Sequence, residues 1–215
     1  MRSRFDEQLA LLNREMIKMG SLCEEAIALA AKSLAEGDAS LARKVAPLGA
    51  EIDQMEHDIE AICLKLLLQQ QPVARDLRQI SAALKMVTDM ERIGDQAGDI
   101  AEITLFLNAR LPAEGGQICD MARATIRMVT ESVDAFVRRD VKLADAVIRH
   151  DDVVDDYFNA VKRSLIGMIA GDPTEGETAL DLLMIAKYFE RIGDHAVNIA
   201  QWVQFSVTGV HGEMP

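Results

Sequence analysis

Residues 84–106 are LKMVTDMERIGDQAGDIAEITLF, and residues 183–205 are LMIAKYFERIGDHAVNIAQWVQF. The two segments align without a gap at an offset of 99 residues, and 10 of the 23 aligned positions are identical, including the whole of ERIGD. A repeat of roughly 100 residues is too long for one unit of a solenoid. We therefore interpret the chain as two related halves, each built from the same set of elements.

Hydrophobic residues recur at steps of three and four through most of the chain, as they do on one face of an α-helix. The pattern and its breakers predict helices over residues 4–36, 39–70, 72–109, 117–138, from 140 and from 174. Asp38 and Asp140 are expected to cap the helices that follow them, and Pro47 is expected to kink the second helix. The sequence predicts an all-α fold of two tandem three-helix bundles, with six long antiparallel helices and an internal pseudo-twofold repeat.

The boundary between the two bundles is expected near the middle of the chain. Pro112 and the pair Gly115-Gly116 form the strongest group of helix breakers there. We therefore predict a first three-helix repeat over residues 1–111 and a second over residues 112–215.

The composition restricts the partners that this chain can have. It carries 35 acidic and 23 basic side chains, a formal net charge of −12, which would repel nucleic acids and anionic membrane surfaces. The longest apolar run, residues 26–31, is far too short to span a membrane. Three cysteines without a CxxC pair favour reduced thiols. We expect a soluble cytoplasmic protein.

Acidic residues form a column beside the hydrophobic face of the third and sixth helices. On a helical wheel Glu91, Asp95 and Asp99 lie in one column of the third helix, with Glu102 alongside. The neighbouring Gly94 and Gly98 lack side chains and are expected to let another backbone approach. The sixth helix repeats the column, and the second and fifth helices carry matching acids. These further candidates are Glu190 and Asp194, Glu56 and Glu60, and Asp155.

A row of carboxylates at this spacing is unfavourable unless something neutralises it. Carboxylates four residues apart repel by roughly a few tenths of a kcal/mol per pair, and more at the border of a core. Protonation, arginine pairing or a bound cation would relieve the repulsion. With oxygen ligands alone, Mg²⁺, Mn²⁺, Ca²⁺ or iron is favoured. Asn159 and Asn198 replace two acids in the second half, so its site is expected to bind metal more weakly.

At these residues the sequence resembles the PhoU family, the phosphate-specific transport system accessory proteins, over nearly its whole length. The two ERIGD motifs at 91–95 and 190–194, the stretch QPVARDLR at 71–78 and the tandem halves carry the resemblance. It implies two three-helix bundles whose repeated motifs bind metal ions or metal clusters. The metal motifs of the family carry over to Glu56, Glu60, Glu91 and Asp95, and to Asp155, Glu190 and Asp194. We expect divalent or trivalent ions, with iron, manganese, magnesium and zinc as the candidates.

The resemblance also implies a function. It points to a non-enzymatic regulator in the bacterial cytoplasm that restrains phosphate uptake and phosphate-starvation signalling when phosphate is plentiful. The implied partners are the phosphate ABC transporter, chiefly its ATPase subunit, and the sensor histidine kinase, and we expect a homodimer. Arg75, Asp76 and Arg78, at the start of the third helix, are candidates for partner binding or, alternatively, for local charge pairing at a helix start.

Two other interpretations are left open by the residues. One is a carboxylate-bridged di-metal enzyme, although no histidine stands three residues after a glutamate as in di-iron bundles. The other is a helical adaptor without metal, in which the acids form a solvated face and Arg92 and Arg191 neutralise part of the column. The sequence contains no phosphate-binding loop or nucleophile motif that would indicate acyl or phosphoryl transfer.

Overall fold

The computed structural model describes residues 2–70, 72–107 and 116–210, and these ranges contain six long helices, one short helix and no strand. The helices are α1 (Arg2–Glu36), α2 (Ala39–Ala42), α3 (Val45–Gln70), α4 (Ala74–Phe106), α5 (Gly116–Arg138), α6 (Val141–Gly171) and α7 (Gly176–Thr208), with a 3-10 turn (Pro173–Glu175) before α7. The predicted all-α fold is thereby confirmed.

The helix ends follow the local sequence, with one exception near Pro47. Gly37 adopts a left-handed conformation with φ 65°, and the Asp38 carboxylate accepts a hydrogen bond from the Ser40 backbone N–H at 2.7 Å. The predicted kink at Pro47 is wrong, because the break comes earlier, in the turn at Arg43 that separates α2 from α3. Pro47 instead occupies the first turn of α3, where a missing N–H removes no intrahelical hydrogen bond.

The later helix starts are close to their predicted positions. Asp140 caps α6 by accepting hydrogen bonds from the backbone N–H groups of Lys142 and Leu143 at 3.0 and 3.1 Å. The last helix starts at Gly176 instead of 174, because Asp172 caps the short 3-10 turn that precedes it. The expected domain boundary at Pro112 and Gly115 lies outside the described residues, so the division of the chain at 111 stays a prediction.

Helices α1, α3 and α4 pack on one another, and α5, α6 and α7 do the same, so each half forms a three-helix bundle. The predicted hydrophobic faces lie in one continuous core in which, for example, Met16, Met86 and Ile185 are fully buried. Contacts of α4 with α7 and of α1 with α5 join the two bundles. Helices α4 and α7, which carry the two ERIGD motifs, therefore lie side by side at the centre of the molecule.

Helices α4 and α7 run antiparallel. Asp89 of α4 hydrogen bonds with Asn198 of α7. Arg78 lies eleven residues before Asp89, and it packs on Gly209, which lies eleven residues after Asn198 and directly follows α7. The pseudo-twofold repeat predicted from the sequence thus relates the two halves across this helix pair. Within the described ranges, no helix combines the length and the apolarity that crossing a membrane requires.

Candidate metal centre

The first acidic cluster is formed by Asp53 of α3 with Glu91 and Asp95 of α4. One carboxylate oxygen from each of the three lies within 4.8 Å of the others. Asp53 and Asp95 are exposed and Glu91 is half-buried, so the cluster opens to solvent on one side. Three converging carboxylates on two rigid helices offer a cation a prearranged set of oxygen ligands.

Gly94 explains how α3 and α4 come close enough for these acids to meet. A Cβ atom at Gly94 would lie 3.0 Å from Cδ1 of Ile52, a distance tighter than nine in ten real Cβ contacts. The group that lies against Gly94 is the Ile52 side chain and not backbone, so the expected backbone approach is wrong there. Gly98, by contrast, has no atom within 4 Å of its would-be Cβ.

The electrostatics of the cluster are those of an unneutralised anionic site. The pKa of Glu91 is raised by partial burial first, and then by the charges of Asp95, Glu56 and Asp53, while Arg92 opposes the shift. Glu56 therefore belongs to the electrostatic neighbourhood of the cluster. Since burial and the neighbouring like charges both disfavour the charged form of Glu91, a cation that offsets them is favoured at this place.

The cluster continues into a groove of about 650 Å³ between α2, α3 and α4. Asp53, Asp95 and Asp99 line this groove together with Glu102. Asp99 also contacts the second half, because the Tyr188 hydroxyl donates a hydrogen bond to its carboxylate. Burial and the charges of Asp95 and Glu102 raise the pKa of Asp99, and Arg191 and the Tyr188 hydrogen bond lower it.

Glu60 and Asp99 occupy different places from the three clustered acids. By helix periodicity Glu60 lies one turn beyond Glu56 on α3, and Asp99 lies one turn beyond Asp95 on α4. Because α3 and α4 are antiparallel, these two turns extend toward opposite ends of the cluster. Neither residue belongs to the group whose oxygens meet within 4.8 Å, and their roles as ligands stay predictions.

The second half gathers its own acids between α6 and α7. Asp155, Glu190 and Asp194, all predicted as ligands, are joined there by Asp151 and Asp152. Burial, followed by the charges of Asp194, Asp155, Glu190 and Asp152, raises the pKa of Asp151 to about 6. Burial and Glu190 likewise raise the pKa of Asp155 and of Asp194. Each half therefore has an anionic site in the corresponding place.

Asp151 is a ligand candidate that the sequence reasoning missed. It stands 99 residues after Ile52, the residue that packs on Gly94, and its Oδ1 would lie 3.2 Å from a Cβ on Gly193, the repeat counterpart of Gly94. Oδ1 of Asp151 is buried and has no hydrogen-bond partner among the described residues. Asp151 thus places a carboxylate where the first half has a core isoleucine. A bound cation would give its buried oxygen the partner that it lacks.

A lysine already reaches into the second site. The Lys187 ammonium forms an ion pair with Glu190, and its charge lowers the pKa of both Asp155 and Asp194. In the first half the corresponding position is Thr88, which carries no charge. Lys187 therefore gives a second reason, besides the two asparagines, to expect weaker metal binding in this half.

Asn198 has a partner of its own outside the second site. Its Nδ2 donates to Oδ1 of Asp89 at 3.2 Å, and Nδ1 of His195 lies 2.9 Å from the same oxygen. Asp89 and His195 are 8% exposed. A helical wheel could not indicate Asp89 as the partner of His195, because the contact joins the two halves. Asn159 is exposed on α6.

Asp53 was also missed as a ligand candidate, although its signal is visible in the sequence. It lies three residues before Glu56, one helical turn away, and the repeat places Asp152 at the equivalent position. The helical-wheel argument considered only acids four residues apart in one column, and Asp53 is three residues from Glu56. Together with Asp151, it shows that the acids converge across two helices instead of forming a single file.

The donor set fits a hard cation. The close group consists of the carboxylate oxygens of Asp53, Glu91 and Asp95, without histidine or cysteine, while the acids of the second half do not form such a close group among the described residues. Such donors suit magnesium, manganese, calcium or iron better than zinc, which prefers nitrogen and sulfur. In chemical terms the acidic clusters of the two halves can bind cations at the protein surface.

Comparisons with known proteins agree with the repeat. The family model described as the PhoU domain matches residues 16–104 and again residues 118–203. The chain is 34% identical over 208 residues to the phosphate-specific transport system accessory protein PhoU homolog of Pseudomonas aeruginosa. The aligned region covers 96% of this chain and 86% of that relative. It is also 34% identical over 207 residues to the protein of the same name from Caulobacter vibrioides, covering 95% and 90% respectively.

Solved structures show the same architecture. The crystal structure of PhoU from Pseudomonas aeruginosa matches with a TM-score of 0.91 at 34% identity and covers 96% of this chain and 100% of its own. The phosphate transport system regulatory protein PhoU from Streptococcus pneumoniae matches with a TM-score of 0.89 at 26% identity, over 98% and 100%.

Proposed function

Because the chain belongs to the PhoU family, we propose that it regulates phosphate transport, restraining phosphate uptake and phosphate-starvation signalling when phosphate is plentiful. The names of its relatives, accessory and regulatory proteins of phosphate transport, support the proposal. The proposal includes no enzymatic turnover. It places the chain in the cytoplasm as a homodimer that contacts membrane complexes from the inside.

The proposed mechanism is recognition that depends on metal. A cation at the first cluster would cancel the repulsion among Asp53, Glu91 and Asp95 and fix α3 against α4. The observation that carries this step is the convergence of three carboxylate oxygens within 4.8 Å. The metal-bearing flank, or the surface that the metal rigidifies, then docks on the phosphate ABC transporter, chiefly its ATPase subunit, and on the sensor histidine kinase.

The proposed ligands comprise the acids predicted from the sequence and the two that the structure adds. In the first half they are Glu56, Glu60, Glu91, Asp95 and Asp99, with Asp53, and in the second half Asp155, Glu190 and Asp194, with Asp151. Arg75, Asp76 and Arg78, at the start of α4, remain candidates for partner contact. Arg75 is exposed, while Asp76 and Arg78 are half-buried.

A genetic experiment tests the regulatory proposal and its link to the cluster. Deleting the gene in its native host is expected to derepress the phosphate-starvation alkaline phosphatase in phosphate-rich medium. Complementation with the unaltered gene should restore repression, and complementation with Asp95→Asn should fail to do so. Asp134→Asn is the matched control, because Asp134 is an exposed acid of α5 that pairs with Arg138.

The outcomes separate the two parts of the proposal. Unaltered phosphatase activity in the deletion strain would contradict the regulatory role. Full repression by Asp95→Asn, at a protein level equal to that of the control variant, would agree with the regulatory role. It would refute the dependence of that role on the acidic cluster. Immunoblotting of both variants provides the protein level.

A further inference from the structure

A corner with positive charge lies where the start of α4 meets the α5–α6 turn and the end of α7. Arg75 and Arg78 extend from the first turns of α4, and Arg139 extends from the turn between α5 and α6. We call these three residues the basic corner. In a chain with a net charge of −12, three arginines from two segments at one end of the α4–α7 pair require an explanation.

Arg139 is held in place by a buried polar contact. Its backbone has a φ of 55°, which is uncommon for a residue with a side chain, and its Nη2 donates to Oε1 of Gln79. Gln79 is only 5% exposed and in turn donates to Oδ1 of Asn13 on α1 at 3.3 Å. The guanidinium of Arg139 is thus positioned by α4 directly and by α1 through Gln79, which makes it a prearranged donor.

The charges at the corner are only partly compensated. Burial and the nearby charge of Arg75 lower the pKa of Arg139, and Asp76 alone opposes them. The arginines that form ion pairs in the described residues are Arg123, Arg127, Arg138 and Arg149, all in α5 and α6. No member of the basic corner has a carboxylate partner within that part of the chain.

Arg78 supplies a donor that nothing in the described residues accepts. Its guanidinium packs on Gly209, the left-handed residue that ends α7, with Cζ, Nε and Nη1 each 3.6 Å from the position of a Cβ there. Nε of Arg78 is buried and has no hydrogen-bond partner. Unpaired buried donors are rare in folded proteins, and those that persist often face a ligand.

The start of α4 adds further positive potential. Val73 occupies the N-cap position and offers no side-chain hydrogen bond, so no side chain caps the first N–H groups of α4. The N-terminal end of a helix dipole attracts anions, and guanidinium groups bind tetrahedral oxyanions through paired hydrogen bonds. The three arginines and this helix end together offer more donors than a single carboxylate would use.

We propose that the basic corner binds a phosphoryl oxyanion, either free orthophosphate or the phosphate group of a nucleotide. Such a group carries several acceptor oxygens and about two negative charges, which would offset the mutual repulsion of Arg75 and Arg139. The inference rests on the basic corner alone and stands independently of the acidic clusters and of the proposed function.

Isothermal titration calorimetry of the full chain with orthophosphate at low ionic strength tests this proposal. We expect a single binding event that the double variant Arg75→Gln/Arg139→Gln weakens by at least about tenfold. The matched control is Arg123→Gln/Arg127→Gln, which removes the same charge from the exposed face of α5 and is expected to bind as the unaltered chain does. A parallel titration with ATP distinguishes a nucleotide from free phosphate as the source of the group.

Chelator separates this site from phosphate held by a metal. Binding of either ligand that persists in EDTA and is lost in the Arg75/Arg139 variant supports the proposal. Binding that disappears in EDTA, binding that survives the double substitution, or no binding of either ligand would overturn it. If circular dichroism shows that the double variant does not fold, Arg75→Gln alone decides the matter, because Arg75 is exposed and its loss removes no buried packing.

Discussion

At the scale of single residues, the two acidic clusters differ at the position that packs on the glycine of the ERIGD motif. Ile52 fills that position in the first half and Asp151 in the second, against Gly94 and Gly193 respectively. The isoleucine contributes to the core, while the carboxyl group brings charge to a half-buried place beside four other acids. The same geometry therefore supports packing in one half and places a buried carboxylate oxygen in the other.

The raised pKa of Asp151 gives a pH dependence with a definite sign. Since its pKa rises from an ordinary value near 4 to about 6, the folded chain binds more protons than the unfolded chain between these values. Stability therefore falls as the pH rises through this window, and the penalty is complete above it. Asp151→Asn should stabilise EDTA-treated protein by about 1 kcal/mol at pH 8, after discounting for partial solvent exposure, and by nothing near pH 4.

Urea unfolding at both pH values measures the effect. Asp156→Asn, an exposed residue of the same helix, is the control and should change the unfolding free energy little at either pH. A stabilisation by Asp151→Asn that is equal at pH 4 and pH 8 would contradict the account of the buried carboxyl group.

At the scale of helices, most of the fold was predictable because its determinants are local. Periodic hydrophobic residues, Gly37 and the caps at Asp38 and Asp140 act within a few positions of the chain, and they placed the helix ends closely. The break before Pro47 was not predictable in the same way. It depends on α2 packing against α4, a contact between segments far apart in sequence.

The candidate sites show the same limit. Steps of four identified the acids of α4 and α7, because one helix determines that column. Asp53 and Asp151 join the clusters only through the pairing of two helices, and Asp89 meets His195 only because the two halves pack together. A helical wheel contains no information about the neighbouring helix, so these residues required the structure.

The α4–α7 interface depends on the buried contact between Asp89 and its two partners. Asp89→Ala would leave Nδ1 of His195 and Nδ2 of Asn198 without their acceptor in a buried place. We expect a loss of about 2–3 kcal/mol in the free energy of unfolding, which urea denaturation would measure. Asp134→Ala, at an exposed position, should cost well under about 1 kcal/mol. Equal effects of the two substitutions would show that the interface does not rely on Asp89.

At the scale of the whole molecule, the repeat places two acidic flanks on one chain and makes them unequal. Among the described residues, Arg43 lines the groove of the first flank but no lysine does, whereas Lys187 pairs with Glu190 in the second. We therefore expect the first half to dominate metal binding. Helices α4 and α7 carry acids of the two sites and also form the interface between the halves. A cation bound at either site would therefore contact one helix of that interface.

Calorimetric titration of EDTA-treated, dialysed protein with Mn²⁺ tests the central claim, that converging carboxylates form a cation site, most directly. The account predicts saturable binding that Asp95→Asn weakens by at least about tenfold, that Asp194→Asn weakens less, and that Asp134→Asn leaves unchanged. Binding of Mn²⁺ by Asp95→Asn with the affinity and stoichiometry of the unaltered chain, or no binding by the unaltered chain, would contradict it.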